Sequence, residues 1–244
     1  MTFSHSLLLP ISLMTLLVTI DGAISLGLVS SMVAFLHGAG GGPFEVAYAG
    51  STFQLAGEPV NLVTDQGHTT NGAGGTAVVL VGLGGLIGLL LERRSRKKHA
   101  KSSPFFYLWA LITVLSALLS ISALIYTFIE TGRTHGSVDL AVAVQNPAPA
   151  RYPDGRWTPE NWYDAVLRLP LVGQEDQDVI VWNLRLMRGW RWNLIALSIL
   201  GVILAALVLL ELLRFRKARK ANDVTQLMGE AQYSLGFQKH TATY

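Results

Sequence analysis

The chain contains no cysteine. No disulfide can therefore staple it, even in a compartment that would permit one, and no thiolate is available for metal or redox chemistry. It has no Asn-X-Ser/Thr acceptor for N-glycosylation and no G-x-S-x-G, H-E-x-x-H or nucleotide-loop motif. Gly82-Leu-Gly-Gly85 resembles a fragment of a phosphate loop, but no lysine follows it and it lies in an uncharged run. The histidines at 5, 37, 68, 99, 135 and 240 are scattered without metal-ligand spacing. Folding could bring only His68 and His135 beside Asp65 or Glu130. These features point away from an enzyme and imply no cofactor and no metal.

Charge is also scarce. Asp, Glu, Lys and Arg make up 14% of the 244 residues, against about 25% in soluble domains. Mean hydropathy is +0.39. What is present in their place comes in blocks. Leu7 to Leu36 is interrupted only by Asp21, and Thr76 to Leu91, Pro104 to Ile129 and Leu194 to Leu210 carry no charge. A hydrocarbon layer of about 30 Å is crossed by about 20 apolar residues in a helix. Asn71-Gly-Ala-Gly-Gly75 lengthens the short second block. We read four membrane spans, at 11–36, 73–91, 105–129 and 192–213. The fold class is an all-α membrane protein, a four-transmembrane-helix bundle with a small α+β extramembrane domain formed by the two outer loops.

The basic pI of about 9.3 comes from clusters beside the spans, which argues against nucleic acid as the partner. All six lysines lie in 97–101 or 217–239, and the runs Glu92–Lys101 and Arg214–Lys220 are densely basic. Basic flanks stay on the cytoplasmic side, and an even number of spans separates the two runs, so both fall on one side. This puts a short N-terminus (1–10), the loop 92–104 and a largely disordered tail (214–244) in the cytoplasm, and loops 37–72 and 130–191 outside, in the plasma membrane or another secretory-pathway membrane. Arg185, Arg188 and Arg191 stand against this orientation, just outside span four. The five basic residues of Arg214–Lys220 compete with them. The first span has no basic n-region and is too long for a cleaved signal peptide, although Gly22-Ala23 is a small-residue pair of the kind that precedes cleavage. Cleavage would leave three spans.

Loop one alternates at Phe44–Tyr48 and Thr52–Ala56 around Gly50-Ser51, the pattern of a β-hairpin, with Val60–Thr64 as a possible third strand. An isolated sheet of this size is marginal and needs loop two or a partner. In loop two, Tyr152-Pro-Asp-Gly155 predicts a turn, Thr158 an N-cap and Pro159 the first helical residue. Glu160 and Asp164 suit the positive end of the dipole. The expected amphipathic helix, 159–169, carries Trp162, Tyr163 and Val166 on an apolar face. That face packs on loop one, rests at the lipid interface, or, with Trp157, presents an aromatic surface to a partner. Residues 179–191 alternate like a strand yet also fit an interfacial helix, and Trp190, Arg191 and Trp192 suit an interface anchor.

Asp21 stands near the middle of the first block, at a cost of roughly 2.5–3.5 kcal/mol on insertion scales. It is either a proton or ion site or a polar contact between helices. Small residues recur at spacings of four: Ala23, Gly27 and Ser31; Gly84 and Gly88; Ser116 and Ser120; Gly201 and Ala205. Such faces let helices approach closely within the bundle or across a homo-oligomer seam.

The layout of a short N-terminus, a strand-bearing first loop, a basic inner loop and a tail resembles claudin-like tetraspan proteins. It departs from them in lacking the paired cysteines and the Gly-Leu-Trp motif, and in having the longer loop second. Tyr152-Pro-Asp-Gly-Arg-Trp-Thr-Pro-Glu-Asn-Trp162 is similar to a segment of uncharacterised four-span membrane proteins of filamentous fungi. That resemblance implies a multi-pass protein and brings no activity with it. The expected role is that of a membrane organiser or accessory subunit, with lipids and another membrane protein or a second copy as partners. The rival role is a small oligomeric channel or transporter using Asp21.

Overall fold

The computed structural model describes residues 6–99, 101–134 and 136–241. Beyond residue 221, side chains are described only at 224, 225 and 228, and that of His99 is not described. His135 lies outside the described residues, so its expected meeting with His68 does too.

In a bilayer no water is available to the backbone, so a spanning segment must satisfy its own N–H and C=O groups, which a helix does. Each apolar block lies in one long helix. These are α1 (Leu8–His37), a second span, α4 (Pro104–Arg133) and α7 (Gln174–Thr241). The second span is continuous through α2 (Asp65–Gly75), a π-helical segment (Thr76–Leu83) and α3 (Gly84–His99). All four are long and apolar enough to cross a membrane, and the protein is an integral, multi-pass membrane protein. Helix starts at Asp65, inside the stretch expected to be loop.

α1 packs on α7 and on the second span, and α4 does the same, so the helices form a ring in the order one, four, three, two. α1 and α7 run antiparallel in a register marked twice. Leu7 meets Glu211, and Ser25 meets Asn193, 18 residues along in each helix. We call the end that carries loops 38–64 and 134–173 the loop end, and the opposite end the basic end.

At the loop end β1 (Phe44–Tyr48) and β2 (Ser51–Leu55) form an antiparallel hairpin, pairing Phe44 with Leu55 and Tyr48 with Ser51. Its two turn residues, Ala49 and Gly50, both have positive φ, as a tight hairpin whose twist matches its strands requires. Loop two covers the edges. Ala47 N–H donates to Pro170 O at 2.9 Å, Val172 N–H to Glu45 O at 2.9 Å, and Ala148 N–H to Gln54 O at 2.7 Å. The expected third strand at 60–64 does not form. Leu62 makes a single parallel bridge to Trp157, because loop two runs alongside for only a few residues.

The ambiguous stretch 179–191 is helix, the first part of α7 standing clear of the apolar span. Ile180, Leu184, Met187, Trp190 and Leu194 are buried at steps of four and three, the helical period. The apparent strand alternation is a coincidence of composition. A further short helix, α5 (Leu140–Gln145), opens loop two and is N-capped by Asp139, whose carboxylate accepts Ala141 N–H at 2.8 Å.

Candidate functional site

The segment 157–170 forms α6 (Pro159–Val166) and one further turn. The Thr158 hydroxyl accepts Asn161 N–H at 3.3 Å, with Pro159 in the first turn. α6 is short, yet it ties together most elements of the loop end. Asn161 Nδ2 donates to Thr131 O and to Thr134 Oγ1, both at 2.7 Å, and so closes the C-terminal turn of α4, where carbonyls lack partners.

Trp157, Trp162, Tyr163 and Val166 are all buried, Trp162 at 0% exposure. The aromatic surface expected for a partner is therefore an interior in this fold. Trp162 packs between Trp157 and Tyr152, with ring centroids 5.4 and 5.7 Å apart. Tyr163 meets Phe35 of α1 edge-on at 4.8 Å. Each polar handle is satisfied by loop backbone, as buried Trp and Tyr require. Trp162 Nε1 donates to Gly57 O at 2.6 Å, Tyr163 Oη to Gly40 O at 2.9 Å and Trp157 Nε1 to Asp154 O at 2.8 Å. Glycine at 40 leaves room for these rings; a Cβ there would lie 2.7 Å from Tyr163 Oη. Burial, and secondarily the charge of Glu58, pushes the Tyr163 phenol well above the ordinary range. Of the three readings open for this apolar face, packing on loop one is the one that the structure shows.

The polar face of α6 meets α7. Arg188 Nη2 lies 2.6 Å from Asp164 Oδ1, and Arg191 Nη2 lies 3.0 Å from Glu160 Oε1. Arg156 pairs with Glu130 of α4 at 3.0 Å, and the Arg191 guanidinium stacks over Phe128 and Trp192 at 5.4 and 5.7 Å. Arg188 and Arg191, two of the three residues at odds with the charge rule, thus have local acidic partners. A cleft of about 410 Å³ lined by Gly136, Ser137, Asn161, Asp164 and Arg168 opens beside this network.

α7 carries an aromatic residue whose position the sequence left ambiguous. Trp182 is 60% exposed and shares one helix face with exposed Asp178, Arg185, Gly189 and Trp192. This face continues down the lipid-facing side of the span. Read as a strand, 179–191 puts Trp182 on the inner side with Ile180 and Leu184; only the helical period turns it outward.

Asp21 is buried at 9% exposure, and its Oδ2 has no hydrogen-bond partner among the described residues. By the α1–α7 register it lies level with Leu197, one residue from Ser198, whose hydroxyl is likewise buried without a partner. One turn above, Ser25 Oγ accepts Asn193 Nδ2 at 2.8 Å. At the bundle centre, a void of about 10 Å³ is lined by Thr113, Ser116 and Ser120 of α4 together with Val18, Ala77 and Gly201. It holds one water at most.

The small-residue faces divide. A Cβ on Gly201 would lie 3.6 Å from Ala117 Cα, one on Gly88 3.4 Å from Phe105 and one on Gly84 3.7 Å from Trp109, while Ala205 is buried. A Cβ on Gly27 would meet nothing within 4 Å, and Ala23, Gly27 and Ser31 face away from the bundle. The closest approaches lie elsewhere. A Cβ on Gly82 would come within 2.4 Å of Thr19 Oγ1, one on Gly85 within 2.9 Å of Thr15 and Trp109, and one on Gly22 within 2.9 Å of Ala77 Cβ. The buried residues Ala73, Ala77, Val81, Gly85 and Leu89 recur every four, a wider step than 3.6, because the second span is π-helical in the middle. Trp109 Nε1 donates to Val81 O there at 3.1 Å.

The basic end holds a charged cluster that no sequence motif marks. Glu92 is 0% exposed, Glu211 is buried, and Arg96 lies between them. Arg96 Nε meets Glu92 Oε1 at 2.6 Å, and its Nη1 bonds Glu211 Oε1. Neither α1 nor α4 is capped by its own N-cap side chain. Glu211 Oε2 accepts Leu7 N–H at 3.0 Å, and Glu92 accepts Ser103 N–H at 2.7 Å and Ser102 Oγ–H at 2.6 Å. Two carboxylates against one guanidinium leave one negative charge. The two helix N-termini, each equivalent to about half a positive charge, offset it. One cluster therefore fastens all four spans.

Among the described residues, no group of three or more His, Asp or Glu side chains is placed to hold a metal ion. No family model matches the chain, and no curated protein or solved structure is significantly similar to it.

Proposed function

We propose that this multi-pass membrane protein is a non-enzymatic organiser or accessory subunit acting through lateral contacts. The observation that carries the reading is Trp182, a large exposed aromatic above the span, on the same α7 face as lipid-facing Trp192. A partner lying beside α7 in the membrane would meet that face where it leaves the bilayer. Interfaces concentrate their energy in such aromatic residues. The closed, hydrogen-bonded loop-end domain supports the reading by holding α7 upright through Arg188 and Arg191. This moves the partner surface from Trp157, Trp162 and Tyr163 to Trp182. By the positive-inside rule the basic end faces the cytoplasm, with both termini, in a plasma or other secretory-pathway membrane. The segment Tyr152–Trp162, which resembles one in fungal four-span proteins, supplies core residues of the loop-end domain.

The test is native mass spectrometry of the tagged chain, extracted in lipid nanodiscs from its own host. A stoichiometric foreign subunit, lost in Trp182→Ala while the protein still inserts, is the expected result. A lone chain, or a complex indifferent to Trp182→Ala, rejects the reading.

Asp21 supports a second reading, a small oligomeric channel or transporter, because its buried Oδ2 has no partner among the described residues. Buried intramembrane carboxylates commonly mark ion or proton pathways. Proton or cation flux in proteoliposomes that disappears in Asp21→Asn would favour it; flux equal in the two would remove it.

A further inference from the structure

The basic cluster does more than mark a side of the membrane, because of where the fastening cluster sits within it. Glu92 is the sole acid of the run 92–101, and Glu211 the sole acid of 211–220. Both are buried on Arg96 and on the N-terminal turns of α4 and α1. Besides Arg96, the first run keeps Arg93, Arg94, Lys97, Lys98 and Lys101, and the second keeps Arg214, Arg216, Lys217 and Lys220, with no acid within either run left to meet them. Arg93, Arg94, Lys97, Lys98, Arg214 and Lys217 are all exposed.

Depth follows from the same contacts. Leu7 with Glu211, and Ser103 with Glu92, mark the level at which α1 and α4 begin. These cations start within three residues of that level on each helix. Lys98 stands six residues beyond Glu92 and Lys220 nine beyond Glu211, so at about 1.5 Å per residue the two runs reach roughly 9–14 Å beyond it. That range covers the headgroup layer, about 5–8 Å on each side of the hydrocarbon, and the water next to it. The exit of α7 is fixed there by two stacks, Arg96 over Phe215 at 4.4 Å and Arg216 over Tyr107 at 5.4 Å. Arg93 is held along α1 by its bond to Ser12 Oγ at 3.2 Å.

We propose that the basic end binds anionic phospholipids whose headgroups carry more than one phosphate, using the runs from the second and fourth spans together. A headgroup with a single negative charge is satisfied by one side chain. Two groups of cations, held by rigid helices on either side of one neutral cluster, suit a ligand with several phosphate charges. Phosphomonoesters carry about −1.5 to −2 charges each near neutral pH, and each nearby Lys or Arg adds roughly 1 kcal/mol of attraction to an anionic surface, about fivefold in retention. Placement in the headgroup layer favours a lipid over a soluble polyphosphate.

The full chain is reconstituted in phosphatidylcholine nanodiscs doped with equal small amounts of phosphatidylserine and phosphatidylinositol bisphosphate, and the lipids it retains are counted by native mass spectrometry. The bisphosphate lipid should be enriched over both others. Lys97→Gln/Lys98→Gln and Arg214→Gln/Lys217→Gln should each lower that enrichment by about fivefold per charge removed. Both pairs spare Glu92, Arg96 and Glu211, so unchanged melting temperatures certify the fold. Arg185→Gln, at the loop end, should have no effect. Retention in proportion to the amounts supplied, an equal loss in Arg185→Gln, or complete displacement by equimolar free inositol trisphosphate would each overturn the proposal, the last by assigning the site to a soluble anion.

Discussion

Glu211 accepts the backbone N–H of Leu7 at 3.0 Å, across 204 residues of sequence. The first turn of α1 thus takes its cap from the last apolar helix of the chain. The same carboxylate bonds Arg96, which reaches Glu92, which caps α4. The cluster is a continuous chain of contacts in which removing a charged member leaves a buried charge or N–H without its partner.

Glu211→Ala should therefore destabilise the bundle by about 3–5 kcal/mol, the range for breaking a buried pair by removing one partner. Thermal unfolding in a mild detergent measures it. Arg214→Ala, one turn further along and exposed, should change little. Equal melting temperatures for wild type and Glu211→Ala would show that the cluster does not fasten the spans.

Glycine packing offers a sharper contrast. Gly82→Leu should cost at least about 1–3 kcal/mol, because its side chain meets Thr19 at contact distances that no rotamer relieves. Gly27→Leu should cost almost nothing in the isolated protein, since nothing lies within 4 Å of a Cβ there. A large loss in Gly27→Leu, measured in the same detergent, would mean that this face is covered by another chain.

Trp162→Phe removes the indole N–H that Gly57 O accepts at 2.6 Å, leaving a buried carbonyl without its donor. We expect a loss of about 1–3 kcal/mol, read as faster proteolysis of loops 38–64 and 134–173 with the spans intact. Proteolysis at the wild-type rate would show that α6 is not what holds the loop-end domain closed.

Tyr163 makes a prediction about pH. Burial and the Glu58 charge raise its phenol above the ordinary range, where an unfolded tyrosine titrates near 10. Below that value both states hold the proton and the stabilisation is complete. As pH rises past it, the unfolded chain releases a proton that the folded one keeps, so stability falls. Tyr163→Phe should flatten this alkaline fall. In the folded protein, the same substitution should leave the phenolate absorbance gained near pH 10 unchanged. A smaller absorbance gain in Tyr163→Phe would show that Tyr163 titrates normally.

How much of this was legible in the sequence depends on the scale of the signal. Four uncharged blocks, two basic runs and the turn–cap–proline pattern at 152–159 are local features. Each imposes its structure wherever it occurs: apolar length forces a helix in lipid, and Thr158-Pro159 starts one in water. The stretch 179–191 stayed open between strand and helix because Ile180 and Leu184 satisfy period two and period four at once, whereas Trp182 joins them only at period two. The outcome was set by α7 continuing unbroken from the span and by the partners waiting on one of its faces. The sequence pattern marked Gly84 and Gly88, which face Trp109 and Phe105 of α4, but not Gly82 and Gly85, whose closest approaches are to Thr19 and Thr15 of α1; the π-helical stretch before them has no signature in composition.

By itself, then, the sequence determined that this is a membrane protein of four helices with a hairpin and an amphipathic helix between spans. Those are consequences of solvent preference and of backbone geometry within a few residues. Only the tertiary structure decided that the aromatic face of α6 is interior, that Trp182 is outward, and that Glu92, Arg96 and Glu211 form one cluster with two helix N-termini. The reason is physical: burial of a side chain and compensation of a charge depend on which distant segment arrives beside it, and a charge such as Glu211, separated from Leu7 by nearly the whole chain, carries no local mark of its partner.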